Sequence, residues 1–209
     1  MQHSGKLELT WVGKYKQHKI EPRLLVEDKT KSYGDPASEN MLIHGDNLIA
    51  LRALTDRFEG TIKCIFIDPP YNTGNAFDKY DDGLEHSIWL NMMYQRLQLL
   101  YSLLSYDGFL FVSLDEREHA YAKVMMDEIF GRENFIGDII WQKRKGGGND
   151  SRYIALDHDY ILVYAKNVAK EIHPEQWLTL QSNLYLKRYK ETDNEGNRYY
   201  WDTVARNGL

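Results

Sequence analysis

A chain of 209 residues, 43% hydrophobic and 27% charged, is long enough for one real core and ordinary in composition for a globular protein. Its 26 Lys and Arg against 31 Asp and Glu leave a net charge of −5, which argues against a strong nonspecific nucleic-acid binder and leaves room for a local basic groove or for basic charge on parts of a longer protein. The single cysteine, Cys64, excludes an intrachain disulfide, no stretch approaches the ~20 apolar residues of a membrane span, and the N-terminus lacks an apolar signal core, so a cytoplasmic protein is expected.

Residues 1–38 scatter Lys14, Lys16, Lys19, Lys29 and Lys31 among Pro22, Gly34 and Pro36. They read as an N-terminal extension packed over a core, with Trp11 as its anchor and the lysines as solvated surface or phosphate contacts. Strand and helix patterns alternate over residues 39–168. Residues 41–44 form a short apolar run that reads as a strand ending at Gly45, Asp46 and Asn47. Leu48, Leu51, Ala53, Leu54 and Phe58 then have helical spacing. Asp46 or Asn47 can cap that helix; placed at a strand's carboxyl end, Asp46 can instead meet a bound ligand. Residues 62–67, with Cys64 as a small buried hydrophobe, read as a second, buried strand, and the two strands with their helix suit a right-handed parallel crossover.

That strand ends in Asp68, Pro69, Pro70, Tyr71 and Asn72. Neither proline has an N–H and each fixes its own φ, so the strand stops and a stiff loop follows. A carboxylate and a ring are thereby held at the carboxyl end of a strand, where ligands bind in open α/β sheets. The chemistry such a loop suits is attack by a weakly nucleophilic exocyclic amine. Asp68 and the Pro69 carbonyl can accept its two N–H bonds and draw the lone pair out of conjugation, while Tyr71 offers a face for a base taken out of a duplex. The same residues also occur as a plain structural turn.

Residues 72–83 are polar and glycine-bearing and read as a loop beside the turn, with Asn72 bracing it and Phe77 and Tyr80 as aromatic walls. Ile88, Trp89, Met92, Met93, Leu97, Leu100, Leu103 and Leu104 give residues 85–104 a wide apolar helical face, Trp89 and the methionines being core. Asp107 and Gly108 end that segment; residues 109–114 read as a third buried strand closed by Asp115, and residues 117–130 as a helix stopped by Gly131. Residues 135–141 and 160–164 are further strands. Between them Lys143, Arg144 and Lys145 precede three glycines. A glycine-rich basic loop can follow a phosphate backbone closely; it is equally a hairpin connection. From residue 169 the periodicity fades, and Tyr185, Lys187, Arg188, Tyr189, Arg198, Tyr199, Tyr200 and Trp201 interleave aromatic and basic side chains, as a nucleic-acid surface or a small β-rich module would.

Asp68 to Asn72 resembles the catalytic motif of amino-group DNA methyltransferases. The longer context, residues 40–51 and 67–74 together with 80–90, 127–135 and 158–165, is similar to the modification (Mod) subunits of type III restriction systems and their adenine-N6 relatives. The resemblance runs from about Leu7 to about Lys166 and fades over the last forty or so residues. It implies an α/β fold, a Rossmann-like methyltransferase sheet with helices on both faces, incomplete in this chain. Residues 39–168 would be a partial catalytic domain and 169–209 the start of a target-recognition region. It implies S-adenosylmethionine as cofactor, contacted by Asp46, Asp68 and Asn72; catalysis by Asp68, Pro69, Pro70 and Tyr71; DNA contact by Lys143, Arg144, Lys145 and Tyr71; and double-stranded DNA, a second Mod-type subunit and a restriction (Res-type) subunit as partners. No metal, cysteine nucleophile or histidine base is required, and the seven histidines show no ligand spacing. The family's glycine motif for the cofactor, Phe-x-Gly-x-Gly, does not occur, so a truncated gene product or one piece of a larger subunit is expected, poorly active or inactive by itself. Asp rather than Ser at 68 favours adenine; a cytosine-N4 or RNA amino methyltransferase, or a catalytically silent DNA-binding or assembly fragment, are the alternatives.

Overall fold

The computed structural model describes residues 8–16, 20–21, 23–35, 37–72, 76–77, 80–81, 85–144, 155–168 and 187–200. The chain divides into two units, Met1–Glu171 and Ile172–Leu209.

In the first unit, α1 (Asn47–Phe58) begins where the Asp46 carboxylate accepts the backbone N–H groups of Leu48 and Ile49, at 2.9 and 3.1 Å, satisfying two of the donors that a helix start leaves open. β1 (Ile62–Ile67) follows. The two-residue strands β2 (Ala76–Phe77) and β3 (Tyr80–Asp81) pair antiparallel. The side chains of Phe77 and Tyr80, and the rest of the loop after Asn72, lie outside the described residues. α2 (His86–Leu103) buries Trp89, Leu90, Met93, Leu97, Leu100 and Leu103, a three-and-four spacing along one face. Leu104 turns the chain directly into β4 (Leu104–Leu114). α3 (Glu116–Phe130) is capped by Asp115 and stopped by Gly131, whose φ of +88° suits a residue without Cβ. After one 3₁₀ turn, β5 (Phe135–Gln142) and β6 (His158–Ala165) form an antiparallel hairpin.

The sheet order is β1-β4-β6-β5, with β1 parallel to β4 and the other pairs antiparallel. The core lies on one side of it. Leu110, Val112 and Leu114 of β4 and Leu162 and Tyr164 of β6, all fully buried, pack with Trp89, Met93 and Leu97 of α2 and Met125 and Met126 of α3. Trp11 anchors the N-terminal segment on α2, as expected: its indole donates to Asn91 Oδ1 at 2.8 Å and its ring meets Tyr94 edge-on. Lys14 is not solvated surface. It is 6% exposed and pairs with Glu128 of α3 at 2.7 Å and Glu8 at 3.0 Å.

Three expectations are corrected. Residues 41–44 form no strand; Leu42 is 99% exposed, because β1 ends the sheet and no neighbour on its far side supplies a ladder among the described residues. The parallel unit is therefore β1–α2–β4, and Asp46 stands at a helix start rather than at a strand's end. Cys64 is exposed, not buried: it pairs with Phe109 on the sheet face turned from the core, beside Phe66, which is 60% exposed. β4 begins at Leu104, and Asp107 and Gly108 lie within it. The register passes from Ile62↔Leu104 to Cys64↔Phe109, and a Cβ on Gly108 would come within 2.8 Å of the Ile62 carbonyl, so only glycine allows this approach.

In the second unit, β7 (Glu191–Thr192) and β8 (Arg198–Tyr199) pair around a turn in which the Asp193 carboxylate accepts the backbone N–H groups of Glu195 and Asn197. Arg188 lies 5.2 Å from the Tyr200 ring, so basic and aromatic groups here engage one another.

Because Leu110 is fully buried in the central strand and Phe66 faces away from the core, Leu110→Ala is expected to cost about 2–5 kcal/mol in urea denaturation, and Phe66→Ala well under half of that.

Candidate active site

The turn that follows β1 is held from three sides. The backbone of Pro69 and Pro70 offers no donor, so its stabilising contacts come from other elements. The buried Trp89 of α2 donates its indole N–H to the Pro70 carbonyl at 2.7 Å. The Tyr71 hydroxyl lies 2.6 Å from Ser113 Oγ on β4. Asn72, with φ +59°, donates from Nδ2 to Glu118 Oε1 on α3 at 2.6 Å. The same carboxylate oxygen lies 2.9 Å from His86 Nδ1, and the His86 ring meets Tyr121 edge-on at 4.2 Å. Within this frame Asp68 is exposed, and among the described residues no donor reaches the Pro69 carbonyl. Asp68 and Pro69 thus present two acceptors on a clamped backbone.

Burial above all pushes the Tyr71 phenol up to about 12, with the Ser113 hydrogen bond opposing and the charges of Asp68 and Asp159, together with hydrogen bonding to Asp68, adding to the rise. At neutral pH it is a neutral ring with a tethered hydroxyl, suited to stacking and not to taking a proton. Burial likewise raises the carboxyls of Glu118 and Asp115. Asn72 and His86 oppose the rise at Glu118 and Asp115 adds to it; the backbone N–H of Arg117 opposes it at Asp115.

Strand directions bring these groups to one edge. β1 and β4 end there, β5 ends there, and β6 starts there, with Leu114 opposite Tyr160 and Gln142 opposite His158. Asp68, Asp115, Glu118 and Asp159 collect on that edge, and the basic segment leaves from it. As a hairpin connection, that segment starts with the backbone N–H groups of Lys143 and Arg144 on the Asp157 carbonyl, at 2.8 and 3.3 Å. Lys143 Nζ is 2.6 Å from Asp159 Oδ1, so its charge is already partly matched; Arg144 is exposed and Lys145 lies outside the described residues. Asp46 caps α1, and the neighbouring Asn47 Oδ1 accepts from Arg96 Nε at 2.7 Å.

Asp68, Pro69, Pro70, Tyr71 and Asn72 are therefore brought together, with Lys143 and Arg144 on the same edge and Asp46 on a different element. Sequence reasoning missed Ser113, Glu118 and His86, and saw Trp89 only as core. The available signals were a serine inside an otherwise apolar strand and an acid three residues beyond the strand's closing Asp115.

Residues 62–207 match a family model described as DNA methylase (N6_N4_Mtase). The chain is 41% identical over 170 residues to the probable type III restriction-modification enzyme HindVI Mod subunit of Haemophilus influenzae, covering 79% of this chain and 22% of that protein. It is 34% identical over 213 residues to the type III restriction-modification enzyme StyLTI Mod subunit of Salmonella typhimurium, covering 88% and 31%. The chain thus spans under a third of the length of these two relatives. Among solved structures, the M1.HpyAVI–SAM complex has a TM-score of 0.41 and 19% identity, covering 61% of this chain and 55% of that one.

A carboxyl raised in the fold adds stability below its unfolded pKa and loses that contribution as pH rises through its folded value. Glu118→Gln keeps the shape and removes the charge. It is expected to be at least as stable as the wild type near neutral pH, with the gap closing on acidification below the usual carboxylate range; paired denaturant titrations at the two pH values check this.

Proposed function

Because the chain belongs to the DNA methylase family, we propose that it carries the catalytic turn of a site-specific DNA methyltransferase of a restriction-modification system, acting on adenine N6 with S-adenosylmethionine as methyl donor. The observation that carries this reading is the clamped turn: an exposed Asp68 carboxylate and a Pro69 carbonyl that no described residue claims, on a backbone fixed through Trp89, Ser113 and Glu118.

The exposed Asp68 carboxylate suits a cofactor with positively charged sulfonium and ammonium groups, Asp115 and Asp159 on the same edge being paired with Arg117 and Lys143; Asp68, Asn72 and Asp46 are its proposed contacts. When bound, that cofactor supplies a methyl group on sulfur, whose departure as a neutral thioether drives transfer. The chain's own part is orientation. A flipped adenine stacks on Tyr71, a contact of about 1–3 kcal/mol. The Asp68 carboxylate and Pro69 carbonyl each accept one amino hydrogen, so the nitrogen lone pair leaves the ring plane and points at the methyl carbon. Once methylated, the amine would carry a surplus N–H proton, and Asp68, already its hydrogen-bond acceptor, would pass that proton to water. Alignment of this kind is worth effective molarities of about 10⁵ M or more.

Arg144 and Lys145 reach the phosphate backbone, and Lys143 exchanges Asp159 for it. The likeness to Mod subunits supports double-stranded DNA as substrate, and a second Mod-type subunit and a Res-type restriction subunit as partners, in the cytoplasm. No helix among the described residues is long and apolar enough to cross a membrane.

Asp68→Ala in the full-length protein is expected to lower methyl transfer on the order of 10²-fold or more, with DNA binding retained. Tyr71→Phe, which keeps the ring, should lose far less than Tyr71→Ala. Tritiated-methyl transfer with mass analysis of the modified nucleoside checks both. Full methylation by Asp68→Ala overturns the mechanism, and N4-methylcytosine in place of N6-methyladenine overturns the substrate.

A further inference from the structure

The exit of the turn is set by a group that the reaction itself does not call for. Asn72 is the one non-glycine residue with a left-handed backbone among the described residues, at φ +59°. Asparagine tolerates that region better than most side chains, but tolerance does not choose it over extended backbone. Its side-chain amide donates at 2.6 Å to Glu118 Oε1, a residue 46 positions further along the chain. Glu118 is 1% exposed and lies in the first turn of α3, where the helix dipole favours a negative charge. His86 Nδ1 meets the same oxygen, while Oε2 has no partner among the described residues.

The helix dipole offsets only part of the cost of this arrangement. A carboxylate buried among Asn72, His86 and Asp115, with no lysine or arginine among the described residues hydrogen-bonded to it, is costly where a neutral side chain would pack as well. What the carboxylate supplies is a strong, directional acceptor for one amide, at the point where the backbone must turn left-handed. Trp89 and Ser113 hold the Pro70 carbonyl and the Tyr71 hydroxyl, so Asn72 is where the third side of the turn is pinned.

We propose that Glu118, supported by His86, is a positioning residue of the methyl-transfer site: through Asn72 it locks the left-handed corner that aims Asp68, the Pro69 carbonyl and Tyr71 at the target base. This rests on the reading of the turn as catalytic; the bracing itself does not.

The test reverses the hydrogen bond. Asn72→Asp sets two carboxylates against each other, and adding Glu118→Gln supplies an amide donor facing the new carboxylate. In the full-length protein, Asn72→Asp is expected to lower kcat roughly tenfold to a hundredfold, and the double variant to recover about tenfold of that loss. In the ¹⁵N spectrum of this chain, the Trp89 indole N–H, which reports the Pro70 carbonyl, should shift in Asn72→Asp and return in the double variant. A Glu118 that merely fills space predicts no such recovery. A double variant no faster than Asn72→Asp, or an indole resonance unmoved in both, overturns the proposal. Should Asn72→Asp not fold, a double variant that folds with the wild-type resonance supports it, and one that does not fold overturns it. A wild type with no methyl transfer sinks the catalytic reading, and the indole resonance still decides the brace.

Discussion

Two consecutive prolines end β1, and the rest of the site follows from what they lack. Without N–H groups, Pro69 and Pro70 cannot build a self-sufficient turn, so the backbone after Ile67 must be held by side chains from other elements. Trp89, Ser113 and Glu118 do this from α2, β4 and α3. The positions of two helices and the central strand are thus coupled to the direction in which Asp68 points.

Packing makes that coupling firm. The Trp89 indole hydrogen bond contributes about 1 kcal/mol net, whereas burying the ring contributes about 2–3 kcal/mol, so burial keeps Trp89 in place and the hydrogen bond aims it. The same division holds at Ser113, which sits between the fully buried Val112 and Leu114 and turns its hydroxyl to the opposite face. The core on one side of the sheet fixes the register, and the register places Ser113 under Tyr71. Lys14 extends the frame outward, tying the N-terminal segment to Glu128 on α3 with little solvent to weaken the pair.

Patterns with one dominant cause were legible in the sequence. The apolar spacing of α2, the cap and stop of α3, the hairpin of β5 and β6 and the stiff turn at Asp68 each follow from local chemistry. Three features depended on what lies across the sheet. Residues 41–44 have a strand's composition, but a strand exists only where a neighbour accepts its hydrogen bonds. Cys64 sits in an apolar run, yet its alternate position on β1 turns it from the core. Gly108 looked like punctuation because the approach of the Ile62 carbonyl, which requires it, joins residues far apart in sequence. Glu118 was illegible for a similar reason: an acid in the first turn of a helix is ordinary for the dipole, and only the fold reveals that it faces Asn72.

The net charge of −5 is locally balanced at the sheet edge, where two of the acids carry basic partners. Asp68, Asp115, Glu118 and Asp159 gather where β1 and β4 end and β6 begins, with Asp115 paired to Arg117 at 3.0 Å and Asp159 to Lys143 at 2.6 Å. Lys143 and Arg144 leave the same edge from β5. With β4 and β6 between them, three strand spacings, about 14 Å, separate β1 from β5. The Lys143–Asp159 pair ties the start of the hairpin connection back to β6.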